Sequence, residues 1–315
     1  IRRLNRPQSG LDGRECKVCG NTDAIKDDRC RWCARFEQLS IKIQDEARVA
    51  YVVSRGADKY DLPLPGGAYL SLADEQTARD MLKTGSVMRV YTKNRAYTGM
   101  AYSARLDICD YYASNQNAEL AQRSEGIRRL AVCRLDVDNL GHAFVAGFED
   151  DAAADVTDRY RFVTLSRTAA LSRQLSLFFK RYMREVLTQG EALDVSVVYS
   201  GGDDVFIIGA WNHVIKAAQR IHEQFAAFTG GALTISGGIG MYGEKYPIRL
   251  AADETAALEQ RAKEEPGKNS VSLFDPNQAH TYSWPVFSQK VMREKYDLVN
   301  RFFTGQDERG MAFLY

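Results

Sequence analysis

The spacing of apolar and polar residues predicts the elements, most sharply from Ile127 onward. RLAVCRLDVD, ending at Asp138, holds an apolar run expected of a strand central in its sheet. NLGHAFVAGF follows directly and reads as the start of a helix. After an acidic loop, RYRFVTLSRTAALSRQLSLFFKRYMREVL has helical spacing, with Leu165, Ala169, Ser172, Leu175 and Phe179 near one face. ALDVSVVYS and DVFIIGAW read as two strands joined by a tight Gly-Gly-Asp turn. A helix is expected from Asn212 to Thr229, with Asn212 as its N-cap. Then come a strand, ALTISGGIGMY, a helix, IRLAADETAALEQRAKEE, and a short strand, NSVSLF. From Leu130 to Tyr242 the order is therefore β-α-β-β-α-β, the ferredoxin-like arrangement.

The flanks are less regular. Residues 41–126 read as a mixed α/β connecting region. ARVAYVVS and SVMRVYT look like strands, LADEQTARDMLKT like a short helix, and LPLPGGAYL is rich in turn formers. AELAQRSEG reads as a short helix ended by Gly126. Beyond Phe274, DPNQAHTYSWPVFSQ reads as a linker. KVMREKYDLVNRFF is a helix that leads to GQDERGMAFLY, so residues 276–315 are expected to be a linker and the first part of a helical domain.

Composition narrows the classes. A chain of 315 residues has room for two or three domains. Its net charge of +1 gives no global basic field, so any nucleic acid contact needs a local patch or a partner. No apolar stretch approaches the roughly 20 residues of a membrane span. The opening IRRLNRPQSG has no apolar core after its basic residues, so it is no signal peptide and a cytoplasmic location is expected. With no initiator Met, the chain is expected to be part of something longer. Of six cysteines, Cys109 and Cys133 stand alone. Cys16, Cys19, Cys30 and Cys33 form two C-x-x-C knuckles separated by ten residues, which predicts a zinc-binding ribbon over residues 1–40. Four thiolates leave no open position for water, so that zinc would be structural.

The candidate chemistry follows from topology. In a ferredoxin-like sheet the first strand lies antiparallel beside the third. Asp136 and Asp138 at the end of the first strand are thereby brought against Asp203 and Asp204 at the hairpin turn. Clustered carboxylates repel one another unless a cation is present, and a few oxygen donors with room for water and phosphate suit Mg²⁺ or Mn²⁺. Two such ions serve in-line nucleotidyl transfer. Gly201 and Gly202 can take positive φ and let a triphosphate approach the backbone. The turn at Asn139, Leu140 and Gly141 would present N–H groups to phosphate, and Lys263 and Lys268 would offset its charge. Each feature has a bland alternative: a common hairpin turn, solvated lysines, and a close strand crossing at SGGIG.

Taken in order, DVDNLG, LSRQLSLFF, VYSGGDDVFIIGAW, SGGIG, KYPI and AKEEPGKNS resemble the Csm-type large subunit of type III CRISPR effector complexes, a polymerase-like palm protein. The cysteine knuckles ahead and FFTGQDERGMAFLY behind fit the same family, so the resemblance covers nearly the whole chain. It implies an α+β fold with a ferredoxin-like palm over residues 127–275. It implies a cyclic oligoadenylate synthetase that works on ATP when target RNA pairs with guide RNA, among the other subunits of the complex and away from membranes. The family's metal-binding carboxylates map onto Asp136, Asp203 and Asp204. ATP is expected near Ser200, Gly201, Gly202, the Asn139–Gly141 turn and Lys263 or Lys268. The family's HD nuclease domain and first palm are not seen in this sequence, so the chain alone is expected to bind ATP weakly and turn over little. Three rivals remain open. A diguanylate cyclase shares the palm, but its turn reads GG(D/E)EF where this chain has Asp204 and Val205. A catalytically silent scaffold would keep the palm for contacts alone. A zinc-ribbon nucleic-acid module would use Arg31, Trp32 and Arg35 beside the second knuckle.

Overall fold

Two stretches of strand-forming sequence build two sheets. The computed structural model describes residues 15–22, 24–56, 61–275 and 280–303, and divides the chain into two units, Ile1–Asp107 and Ile108–Tyr315. In the first unit the strands are β1 (Ala50–Ser54), β2 (Leu62–Leu64), β3 (Ala68–Ala73), β4 (Val87–Lys93) and β5 (Ser103–Leu106), in the order β2-β3-β1-β4-β5. Ala50, Val52 and Ser54 of β1 are buried and alternate with half-exposed Tyr51 and Val53, as the two-residue pleat requires of a one-sided sheet. The helix Glu75–Lys83 covers that face. Asp74 caps it, accepting a hydrogen bond from Thr77 N at 2.8 Å. The turn-rich LPLPGGAYL is more ordered than its composition implies: it folds as β2, one 3₁₀ turn at Pro65–Gly67, and β3. Pro63 is tolerated because β2 is an edge strand.

The second unit holds β6 (Leu130–Val137), β7 (Val195–Gly201), β8 (Asp204–Ala210), β9 (Ile235–Tyr242), β10 (Ser270–Phe274) and β11 (His280–Ser283). Their order is β11-β10-β9-β6-β8-β7. The stretch β9-β6-β8-β7 is the antiparallel ferredoxin-like sheet, so the β-α-β-β-α-β order read from the sequence is the order found. β10 extends it parallel to β9 and β11 returns antiparallel. β6 sits between β9 and β8, which explains its unbroken apolar run: Leu130 to Cys133, Leu135 and Val137 are all buried. In the helix Trp211–Thr229, Val214, Ala217, Ala218, Ile221 and Phe225 recur at helical spacing and are buried. Phe178, Phe179 and Phe225 meet with ring centroids 5.2 to 5.6 Å apart. Burying each ring contributes roughly 1.5–3 kcal/mol. SGGIG does serve as a close crossing. A Cβ on Gly238 would lie 2.6 Å from Leu258 Cβ and from Thr255 O of the helix Ile248–Glu264. No helix among the described residues is long and apolar enough to cross a membrane.

Four expectations change. The long amphipathic helix starts later, at Leu165, with Thr164 as N-cap. Only Leu175 and Phe179 of its proposed stripe are buried; Leu165 is 86% exposed, and Ala169 and Ser172 are exposed too. One turn, Phe178–Tyr182, is π-helical before the helix continues as Met183–Thr188. The misses all fall in the first half of the helix, ahead of the π turn, where Leu165 to Gln174 contribute no buried residue; only the C-terminal part of the helix packs on the core. Asn212 is not a cap: it lies inside the helix, buried, and its side-chain oxygen accepts from Glu125 N at 3.3 Å. The stretch read as a linker contains β11 and a helix start at Trp284. The indole of Trp284 is fully buried and donates to Ile235 O at 2.8 Å. That helix runs Trp284–Val286, then π-helical Phe287–Tyr296, then Asp297–Phe303. The segment GQDERGMAFLY and residues 1–14 of the expected ribbon lie outside the described residues.

Candidate functional site

Sheet register assembles the acidic site. Asp136 on β6 is the direct register partner of Asp204 on β8, and Gly201 on β7 pairs with Asp204 from the other side. Val137 N donates to Asp203 O at 3.2 Å. Asp136, Asp203 and Asp204, distant in sequence, thus share one end of the sheet and are half-buried there. Gly202 turns the hairpin with φ of +72°, the left-handed region where a side chain is strained.

The charges at this end alternate in sign. The Lys263 ammonium pairs with Asp136 Oδ2 and lies 3.2 Å from Glu259 Oε1, one helical turn away. Arg134 Nε is 3.3 Å from Glu259 Oε2, and Arg134 Nη2 is 3.6 Å from Asp204 Oδ2. Burial pushes the Asp204 carboxyl up, with Arg134 opposing and Asp203 adding. Burial also raises Glu259, to about 6; Arg134 opposes this, and the charges of Asp204, Asp203 and Asp138 add to it. Burial lowers Lys263, helped by Lys268 and Arg134. Partial burial strengthens these pairings relative to water, and Asp136 and Asp204 each face a cation. Among the described residues the carboxylate oxygens of Asp136, Asp203 and Asp204 do not come within 4.8 Å of one another as a group. Arg134 and Glu259 were absent from the sequence reading. Their signal was faint: Arg134 is one charge within an apolar strand, and Glu259 precedes Lys263 by four residues.

Behind this row lies Asp138, 2% exposed. Its Oδ2 accepts from Thr234 Oγ1 at 2.7 Å, Ser236 Oγ at 3.0 Å and Asn269 N at 3.0 Å. Its Oδ1 is buried with no hydrogen-bond partner among the described residues. Asp138 therefore ties β9 and the loop before β10 to the end of β6. In that loop Lys268 and Asn269 both have left-handed φ, 53° and 49°. His222 holds the Asn269 side chain at 2.9 Å and stacks on Trp284 at 4.7 Å. Lys268 Nζ donates to Asn139 Oδ1 at 2.7 Å, so the loop also meets the turn at Asn139, Leu140 and Gly141. Asn139 has φ of 52° and directly precedes the helix Leu140–Ala146. Ser200 Oγ donates to Phe179 O at 2.6 Å, which fixes the strand just ahead of Gly201 and Gly202.

In the first unit Cys16, Cys19, Cys30 and Cys33 bring their sulfurs within 4.8 Å of one another. Cys19 Sγ and Cys30 Sγ are 3.7 Å apart. A tetrahedral ion at a Zn–S length of about 2.3 Å spaces its thiolates about 3.8 Å apart, so the set fits one metal ion. Gly20 N donates to Cys16 O at 2.8 Å and Cys33 N to Cys30 Sγ at 3.4 Å, the local turns that fold each knuckle. Cys30 also caps the helix Arg31–Gln44, where Arg31 stacks over Trp32 at 5.7 Å.

Residues 129–272 match the family described as Cas10/Cmr2, second palm domain. A "CRISPR system single-strand-specific deoxyribonuclease Cas10/Csm1 (subtype III-A)" from Mycobacterium tuberculosis is 41% identical, with 100% of this chain and 40% of that protein aligned. Among solved structures, a Csm1–Csm4 cassette in complex with one ATP superposes with a TM-score of 0.64 at 25% identity, over 84% of this chain and 38% of that one. The cassette in complex with cA4 gives 0.60 at 27% identity, over 76% and 35%. The chain spans about two fifths of the curated relative's length. Similarity along its whole length, with the palm match at its centre, makes the chain a homologue of the Cas10/Csm1 proteins of subtype III-A CRISPR systems.

Proposed function

We propose that Asp136, Asp203 and Asp204 form the metal-dependent centre of a nucleotidyltransferase that converts ATP to cyclic oligoadenylate when target RNA pairs with guide RNA, as part of antiviral defence. The observation that carries this reading is the in-register pairing of Asp136 with Asp204 beside the left-handed Gly202. ATP and cA4 in the solved Csm1–Csm4 cassettes support it. Csm4 and the other subunits of the complex are the partners, in the cytoplasm, with residues 127–275 as the palm. Carboxylate oxygens are the donor type that Mg²⁺ or Mn²⁺ takes, and the four cysteines fit a structural Zn²⁺.

The 3′-hydroxyl of one ATP attacks the α-phosphate of another. A new phosphodiester bond forms, the α–β anhydride breaks, and pyrophosphate leaves; repetition and ring closure give the cyclic product. A divalent ion held by the aspartates would supply Lewis-acid charge at the phosphate and favour loss of the hydroxyl proton. The residues of the chain do the placing. Gly201 and Gly202 carry no side chain and let a triphosphate reach the backbone. The Asn139–Gly141 turn offers N–H groups. Lys263 and Lys268, already beside Asp136 and Asn139, balance the phosphate charge.

The test is mass spectrometry of products from the full complex supplied with Mg²⁺, target RNA, ATP and GTP. Cyclic adenylates are expected, and they disappear with Asp203→Ala and Asp204→Ala together. A guanine cyclic dinucleotide would move the protein to the diguanylate cyclase class. An intact, inert complex would make the palm a scaffold.

A further inference from the structure

The π-helical turn Phe178–Tyr182 adjoins the glycine turn, and in the site described above it serves only as the acceptor for Ser200. In this widened turn Met183 N donates to Phe178 O, five residues back instead of four. The next carbonyl, Phe179 O, accepts from Ser200 Oγ at 2.6 Å. The wide turn is therefore latched to the residue preceding Gly201. The residue after Phe179 is Lys180, half-buried. A Cβ built on Gly201 would lie 3.7 Å from Lys180 Cε, so the lysine stem runs alongside the glycine and the ammonium lies one bond further on. Among the described residues the Lys180 ammonium makes no hydrogen bond or ion pair, although Asp203 and Asp204 follow within three residues of Gly201. By contrast, Lys263, Lys268 and Arg134 all have partners. An unpaired, partly desolvated ammonium beside a turn without side chains has the chemistry of an anion contact.

We propose that Lys180 binds a phosphate oxygen of the nucleotide held at the Gly201–Gly202 turn, and that the π-helical turn, latched by Ser200, is what aims it there. The inference rests on the reading of this turn as a nucleotide site. It adds a cation that the sequence concealed, because an ordinary helix through Phe179 gives no reason to single out Lys180. Lysine suits the role as a point charge on a flexible stem that follows the phosphate as it moves.

The experiment measures binding of a non-hydrolysable ATP analogue and of adenosine to the full-length protein within its complex. Lys180→Met is expected to weaken the analogue about tenfold, the worth of one charge-assisted hydrogen bond, and to leave adenosine unchanged. Lys180→Arg should restore most of the loss. Arg181→Met, which removes the same charge from the exposed neighbour, should change neither ligand. Lys180→Gln serves if the methionine variant does not fold. Unchanged analogue binding in Lys180→Met and Lys180→Gln would overturn the proposal. Equal losses for adenosine and the analogue would also overturn it, since the lysine would then act through packing. No binding of either ligand to the unaltered protein would overturn the nucleotide reading itself, and this inference with it.

Discussion

The cysteine cluster and the acidic sheet end are two ways of making a charged site. The four thiols come from eighteen consecutive residues, folded by local turns, and they converge on one point. The three aspartates come from strands nearly seventy residues apart. Sheet register alone brings them together, and the carboxylates of Asp136 and Asp204 are turned to Lys263 and Arg134. The helix after the knuckles, Arg31–Gln44, buries none of its residues, so this region has little apolar packing to hold it. The acidic end stands on a core that includes Leu135, Val205 and Ile207. The difference teaches that one site is set by local turns with little apolar packing behind it, while the other is set by sheet register on a packed core.

The largest effect should follow metal removal. Stripping the full-length protein with a strong chelator, or changing Cys16 and Cys30 to Ser, removes a binding energy on the order of 10 kcal/mol. Hydrogen exchange should then rise across residues 15–44 while β6, β8 and β9 stay protected. Equal protection at the knuckles before and after would erase the contrast. Next, Asp203→Ala with Asp204→Ala should cut product formation at least about a hundredfold. The melting curve should hold or rise slightly, because burial already makes the Asp204 charge costly. A collapse in stability would mean these carboxylates are structural after all. Third, Asp138→Ala strips three donors of their shared acceptor and should cost about 3 kcal/mol in denaturant titration. A neutral result would show that water replaces the carboxylate. The smallest effect concerns Glu259, held protonated to about pH 6 by burial. Because its folded value lies above its ordinary one, its contribution is full below the ordinary carboxyl range and is lost as pH rises through 6. Carboxyl-carbon NMR should place its midpoint near 6, and Arg134→Met should move it higher. A midpoint at the ordinary carboxylate value would remove Glu259 from the charge row.

Much of this was legible in the sequence because apolar runs and turn residues are local signals. The run in β6, the glycines of the hairpin and the C-x-x-C spacing each announced an element, and strand order then followed from topology. Side-chain partnerships were harder. Arg134 and Glu259 look like ordinary surface charges until the sheet and the helix Ile248–Glu264 place them 3.3 Å apart. Asp138 shares a strand end with Asp136, yet its neighbours, not its type, make it a structural tie. The π-helical turns at Phe178–Tyr182 and Phe287–Tyr296 left no mark, since one residue too many in a turn changes register without changing composition. Proline and glycine in LPLPGGAYL concealed a hairpin: Pro63 lies in an edge strand, which tolerates it, and Gly66 and Gly67 belong to the turn.

Gly238 bears on how mutational scans of this protein should be read. Where β9 passes beneath the helix Ile248–Glu264 there is no space for even a methyl group. That helix carries Glu259 and Lys263. Any substitution at Gly238 lifts the helix and withdraws both charges from the aspartates. In a saturation library this glycine would score as intolerant as Asp203, and a map coloured by tolerance alone would enter it as a reactive residue. Sorting the library first by protein abundance and then by output separates the two: Gly238 variants should fail the first sieve, and Asp203 variants only the second.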